Sequence, residues 1–143
     1  MTRERLDLAL AQSLCAAAVD AAAARGLLVS AAVVDSGGNL LSFARMDGAE
    51  IAGVTLAPDK AYTAVANSAP THELAEAAAP GGPLFGLHAA AGGRFVIFGG
   101  GIPLRAPDGT GAIAGAIGVS GAPDPADDVA CAEAAVAVWH SAA

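Results

Sequence analysis

The side chains that could do chemistry in this sequence are scattered at the ends of its predicted segments: Asp35, Arg45, Asp47, Asp59, Lys60, His72, Glu73, His88 and Arg105. Lys60 stands out because cations are few and its surroundings are rich in alanine and valine. A partly buried ammonium can bind an anionic substrate, or act as a base if desolvation lowers its pKa. The plainer alternative is a snorkelling side chain whose stem covers apolar surface. Asp47 would assist such a base, or simply cap a turn with Gly48. His72 and His88 lie near predicted loops and are the candidates to ligate iron, the alternative being hydrogen-bonded surface imidazoles. His140, near the chain end, reads as solvent-facing. No nucleophile elbow, phosphate loop, zinc spacing or dinucleotide fingerprint occurs.

The stretch that must position these groups runs over 94–121, RFVIFGGGIPLRAPDGTGAIAGAIGVSG. It reads as three short strands, Phe95–Phe98, Ile102–Arg105 and Gly111–Ser120, broken by Gly99-Gly100-Gly101 and by the turn residues Pro107-Asp108-Gly109. Side chains alternate along a strand, so Ile113, Ile117 and Val119 make a bulky face on the third strand. Ala112, Ala114, Ala116, Gly118 and Ser120 make a face on which nothing is larger than a methyl or hydroxyl. Such a surface admits the backbone of a helix, or a flat ligand. The glycine triplet leaves backbone N–H groups uncovered, so Gly100 and Gly101 either help to line an anion pocket or belong to a wide loop between hairpin strands.

Around this stretch the chain orders itself simply. Thr2 is expected to cap a helix running to about Arg25, with Gly26 as its stop. Leu28–Asp35 and Leu40–Arg45 form a hairpin through Ser36-Gly37-Gly38-Asn39. Thr55 caps a second helix to about Asn67, with Pro58 in its first turn. A short helix follows over His72–Ala78, then a loop through Leu84–Gly93 with room for one helical turn. Asp124 caps and Pro125 opens a last helix to about Ser141. These pieces predict a single α/β domain over 1–143, of the α+β kind: one five-stranded antiparallel sheet with the terminal helices on one face and the middle helices on the other or at an edge.

Composition bounds the partners. Charged residues are only 15% of the chain against 55% hydrophobic, where about 25% charged is usual. So few charges imply that copies of the chain cover part of one another's surface. A net charge of −7 argues against nucleic acid, since no basic patch offsets phosphate repulsion. No run reaches the roughly 18 apolar residues of a membrane helix. Glu4, Asp7, Gln12 and Asp20 interrupt what would be a secretory signal, so a cytoplasmic location is expected. Cys15 and Cys131 lack metal or thiol-redox spacing and read as buried free thiols, a disulfide remaining open if the terminal helices touch.

The succession AAVVDSGGNLLSFARMDGA, PDKAYTA, PGGPLFGL, GGGIPLR and GAIGVSG resembles the GlcG/HbpS family, which includes the C-terminal domain of PduO-type proteins. The likeness spans nearly the whole chain in order. It implies a profilin-like fold and a homo-oligomer, and several family members bind haem. Gly99 departs from it, standing where proline is common, as does Pro58 in the helix before Lys60.

Two functional readings follow. In the first, the chain binds haem or another tetrapyrrole or anionic small molecule near a subunit junction. Its ligand contacts would come from Arg45, Lys60, Gly100, Gly101, Gly118 and Ser120, and iron ligation from His72 or His88. In the second it is an enzyme of small oxo- or hydroxy-acids, of isomerase or lyase type, with Lys60 and Asp47 catalytic. A third, plainer reading is an assembly factor without a small ligand. Asp59 should point away from Lys60, because adjacent helical residues do not share a face. Lys60→Met is therefore expected to keep the fold and to lose about 1.5–3 kcal/mol of anion affinity.

Overall fold

The computed structural model describes residues 6–142. Helix α1 spans Leu8–Ala24 and is followed by the hairpin strands β1, Ser30–Asp35, and β2, Leu40–Arg45. Helices α2, Ala52–Asn67, and α3, Thr71–Ala77, come next. A loop with two 3-10 turns, Leu87–Ala89 and Ala91–Gly93, leads to β3, Gly101–Arg105, and β4, Ile113–Ser120. Helix α4, Pro125–Ser141, closes the chain. The sheet is antiparallel and four-stranded, in the order β2-β1-β4-β3.

The expected fifth strand is the main correction. Phe95–Phe98 is not paired into the sheet. Its anchor is a helix: the Val96 amide donates to Thr63 Oγ1 of α2 at 3.0 Å, and Phe95 stacks on Tyr62. A buried N–H must find an acceptor, and here a threonine side chain supplies it before a neighbouring strand can. Local apolar content could not reveal that choice.

Helix starts are also revised. The cap expected at Thr2 lies outside the described residues; α1 opens at Leu8, where Asp7 accepts from the Leu10 amide at 2.9 Å. Thr55 is not a cap. Helix α2 begins a turn earlier, at Ala52, with no side-chain cap, so Pro58 sits in its interior and has no N–H to give to the Val54 carbonyl. The other elements lie within a residue or two of their expected bounds.

Two faces of β4 organise the packing, as its sequence implies. Ile117 and Val119 enter the larger core with Leu10, Leu14, Ala18, Cys131, Ala135 and Trp139 from α1 and α4. Ala116, on the opposite face, packs with Ala61 and Ala64 of α2. A bulge modifies the start of the strand: Leu104 pairs with Gly115 and Arg105 with Ile113, leaving Ala114 as the extra residue. Ala114 thereby packs against the larger core, in place of the Ile113 expected there. Cys15 and Cys131 are both buried and free. Among the described residues no helix is long and apolar enough to cross a membrane.

On the small face, contact is between backbones. A Cβ on Gly118 would collide with the Ala57 carbonyl and lie 2.7 Å from the Ala61 nitrogen. Neither atom can rotate away, unlike a side-chain tip. Gly118→Ala is expected to lower unfolding free energy by about 1–3 kcal/mol, the range for overpacking a filled interior, as read from urea denaturation midpoints. An unchanged midpoint would show that α2 does not seat on β4 this closely.

Candidate ligand-binding site

Seating α2 against β3 and β4 carries Lys60 into the interior. Its side chain is 0% exposed. The ammonium donates to the Val119 carbonyl at 2.9 Å and to Asp128 Oδ2 of α4 at 3.1 Å. Its Nζ also lies 5.0 Å from the centroid of the Phe98 ring. Asp128 Oδ1 accepts from the Ala122 amide at 3.0 Å. Lys60 is therefore neither snorkelling nor solvated. Burial pulls its pKa below the ordinary value, against the attraction of Asp128. Burial likewise pushes the Asp128 carboxyl up, opposed first by the charge of Lys60 and then by backbone N–H groups. Desolvation opposes ionisation of both partners, as in other buried pairs.

The glycine triplet is explained residue by residue. A Cβ at Gly101 would collide with the Lys60 carbonyl. One at Gly100, whose φ is +133°, would meet the Val119 carbonyl and lie 2.8 Å from Lys60 Nζ. A Cβ at Gly99 would lie 2.6 Å from Val129 Cγ2 and 3.3 Å from His72 Cβ. Two of these glycines thus admit α2 and its lysine, while the third makes room between α3 and α4. The Gly101 amide donates to Thr71 Oγ1 at 2.9 Å, which ties the first residue of α3 to the triplet and sets His72 beside Gly99.

There an open cleft of about 470 Å³ is lined by His72, Ala75, Phe98, Gly99, Asp124, Pro125, Ala126 and Val129. Its walls are largely apolar, with His72 and Asp124 as the titratable groups. Phe98 belongs to both places: it lines the cleft and its ring covers the Lys60 ammonium.

The remaining candidates disperse. Arg45 is exposed at the end of β2 and donates to the Ala49 carbonyl at 3.1 Å; Asp47 is exposed in the turn between them. Among the described residues no hydrogen bond or ion pair joins Asp47 to Lys60. His88 is exposed in the loop after α3 and does not line the cleft. Gly118 is buried beneath α2, and Ser120 is buried at the end of β4. Asp35 accepts from the amides of Gly37 and Asn39 in the hairpin turn. Asp59 pairs with Arg94 at 2.9 Å, whose guanidinium lies over Tyr62. Arg105 donates to the Gly111 and Ser68 carbonyls, while Glu73 and His140 are exposed.

Sequence reasoning missed Asp128, the buried partner of Lys60, and Phe98, which lines the cleft. Asp128 reads locally as an acid suited to a helix N-terminus, and nothing within 68 residues of it names Lys60 as its partner. Phe98 reads as the end of a strand. The one available signal was a lysine in an alanine-rich helix whose adjacent Asp59 faces elsewhere, so that a buried ammonium needs a counter-charge from another element.

The comparisons with known proteins agree with one another. The family described as haem degrading protein HbpS-like matches residues 6–137. An uncharacterised 15.0 kDa protein of Citrobacter freundii is 45% identical over 89 residues, 62% of this chain and 61% of that one. The corrinoid adenosyltransferase PduO of the same organism is 40% identical over 105 residues, 73% of this chain but 30% of its own length. The chain thus spans less than two thirds of these curated relatives. Among solved structures, a complex of PduOC with haem superposes with a TM-score of 0.87 at 35% identity, covering 94% of each chain.

The buried pair also reverses the expectation for Lys60→Met. Removing the ammonium leaves the Asp128 carboxylate buried without its partner, which is expected to cost about 3–5 kcal/mol of stability. Adding Asp128→Leu should recover most of that loss in a double-mutant cycle read by urea denaturation. The pH dependence has a definite sign. Asp128 has a raised native pKa, so its ionisation destabilises the fold as pH rises from the ordinary 3.8 through that native value. The deficit of Lys60→Met should therefore be full at neutral pH and shrink as pH falls toward 3.8, where the buried carboxyl is neutral. A deficit independent of pH would rule out the stranded carboxylate as its cause.

Proposed function

Because this chain belongs to the HbpS-like family, we propose that it binds haem or a closely related tetrapyrrole in the cleft between α3 and α4. The observation that carries this reading is the cleft itself: an open, mostly apolar slot with the His72 imidazole on its wall. It stands in a chain 35% identical to one whose solved structure is a haem complex. Haem requires an apolar slot and an axial donor, and the residues present fit both needs. His72 would hold the iron, and Phe98, Val129 and Ala75 would face the ring. Bound haem would supply an iron centre there; the chain's own part is to bind it, orient it and exclude water from one face.

The same reading places the ligand near a junction between copies of the chain. Large apolar side chains stand exposed, among them Ile51 at 76%, Phe85 at 64% and Leu40 at 55%, and a homo-oligomer would cover such groups. Arg45, exposed at the sheet end, is a candidate for propionates in that assembly. Acid–base catalysis by Lys60 and Asp47 has no comparable support, since Asp128 already engages the ammonium and Asp47 lies in an exposed turn.

Titration with haemin is expected to give a saturable, sharpened Soret band. It should be lost or strongly weakened in His72→Ala and retained in His88→Ala. An unsaturable spectrum insensitive to both changes would make haem adventitious. Light scattering at micromolar concentration should show an oligomer, and a monomer would remove the junction from the reading.

A further inference from the structure

Phe98 separates the open cleft from a buried cation. An ammonium has three N–H donors, and Lys60 uses two of them, on the Val119 carbonyl and on Asp128 Oδ2. The remaining side faces the Phe98 ring. That ring is 39% exposed and forms part of the cleft wall. The backbone beside it, Gly99-Gly100, is packed against Val129, His72 and the Val119 carbonyl, so opening is a turn of the aromatic side chain between rotamers and not a movement of the chain. Beneath it the ammonium stays in place, because Val119 and Asp128 hold it from β4 and α4.

We infer that Phe98 is a gate, and that swinging it aside gives the cleft an ammonium donor for a ligand carboxylate. The preferred ligand is then a planar apolar molecule carrying a carboxylate at one edge. Ligand identity rests on the haem-site reading above; the gate does not. A ring face is a weaker partner for an ammonium than a carboxylate oxygen in a charge-assisted hydrogen bond, so the exchange favours the ligand. Three carboxylates oppose it: Asp124 on the cleft wall, Asp128 behind the ammonium, and Glu50, just before α2, whose charge also acts on Lys60. Asp128 is partly satisfied elsewhere, through the Ala122 amide on its other oxygen.

The test is clean because Lys60 is the only lysine in the chain. Amine acylation with an N-hydroxysuccinimidyl acetate, read by peptide mass, reports on it against the N-terminal amine as internal reference. In the parent, Lys60 should acylate slowly. In Phe98→Ala it should acylate at least tenfold faster, with the amides of β1 keeping their protection from hydrogen exchange, and Phe98→Leu should stay near the parent. Haemin should suppress acylation in Phe98→Ala, whereas haemin dimethyl ester, with its carboxylates masked, should not. Haemin should also bind the parent about tenfold more tightly than the diester. Equal acylation in parent and Phe98→Ala would overturn the gate. Acceleration accompanied by loss of β1 protection would overturn it too, since opening would then be global. Equal protection or affinity for the two porphyrins would overturn the carboxylate contact while leaving haem binding intact. If neither porphyrin binds, the haem reading and its carboxylate contact fall, and the gate is decided by the acylation rates.

Discussion

Everything distinctive in this structure depends on how closely α2 approaches the sheet. The helix backbone meets the strands at Gly118 and Gly101, where a single added methyl would strike a carbonyl. Ordinary side chains at these positions would hold the helix farther from the sheet, with their own volume between the two backbones. Here that spacer is missing, and Lys60 is pressed into the interior between β4 and α4. A buried ammonium requires acceptors, and the fold supplies a strand-end carbonyl and the carboxylate of Asp128. The close approach and the ion pair are therefore one constraint met by residues from three elements.

This arrangement assigns the glycines different tasks. Gly101 and Gly118 admit helix backbone, Gly100 admits the lysine side chain, and Gly99 keeps space between His72 and Val129. Only Gly99 shapes the cleft; the others support it from beneath. The Thr71 hydroxyl, accepting from the Gly101 amide, couples the two levels and positions α3 relative to the triplet. Thr63 does the same for Phe95–Phe98, holding that segment against α2 through the Val96 amide. Two threonine side chains thus stand in for strand pairing where the chain approaches the sheet before β3, and this leaves Phe98 at the cleft rather than in a ladder.

A buried salt bridge is weak evidence for stability, since hydrophobic replacements often match it. Its value in specifying structure is easier to see here. Lys60 and Asp128 lie on α2 and α4, helices on opposite faces of the sheet, and they meet at the C-terminal end of the central strand β4, at Val119 and Ala122. Shifting either helix by one residue would strand both charges. The pair therefore penalises alternative registers more than it rewards the native one. The pair also places no net charge of its own behind Phe98, the cleft-wall ring nearest the ammonium.

The sequence by itself determined what depends on neighbours along the chain. The hairpin over β1 and β2, the two faces of β4, the Asp124 cap with Pro125 and the loop after α3 were all legible, because turn chemistry, alternation and capping act within a few residues. The family likeness was legible too, since it rests on ordered motifs across the whole chain. Interactions across the fold were not. Whether Phe95–Phe98 became a strand depended on which acceptor its amides met, and Thr63 is 33 residues away from Val96. The bulge at Ala114 depended on registry with β3. Lys60 was recognisable as unusual, but its partner lies 68 residues along the chain and looks locally like any acid at a helix start. His72 came to line the cleft and His88 did not, because the Thr71 hydroxyl fastens the start of α3 to the glycine triplet. Tertiary structure decided these outcomes, because charge pairing and buried hydrogen bonding depend on proximity in space, of which local sequence carries no record.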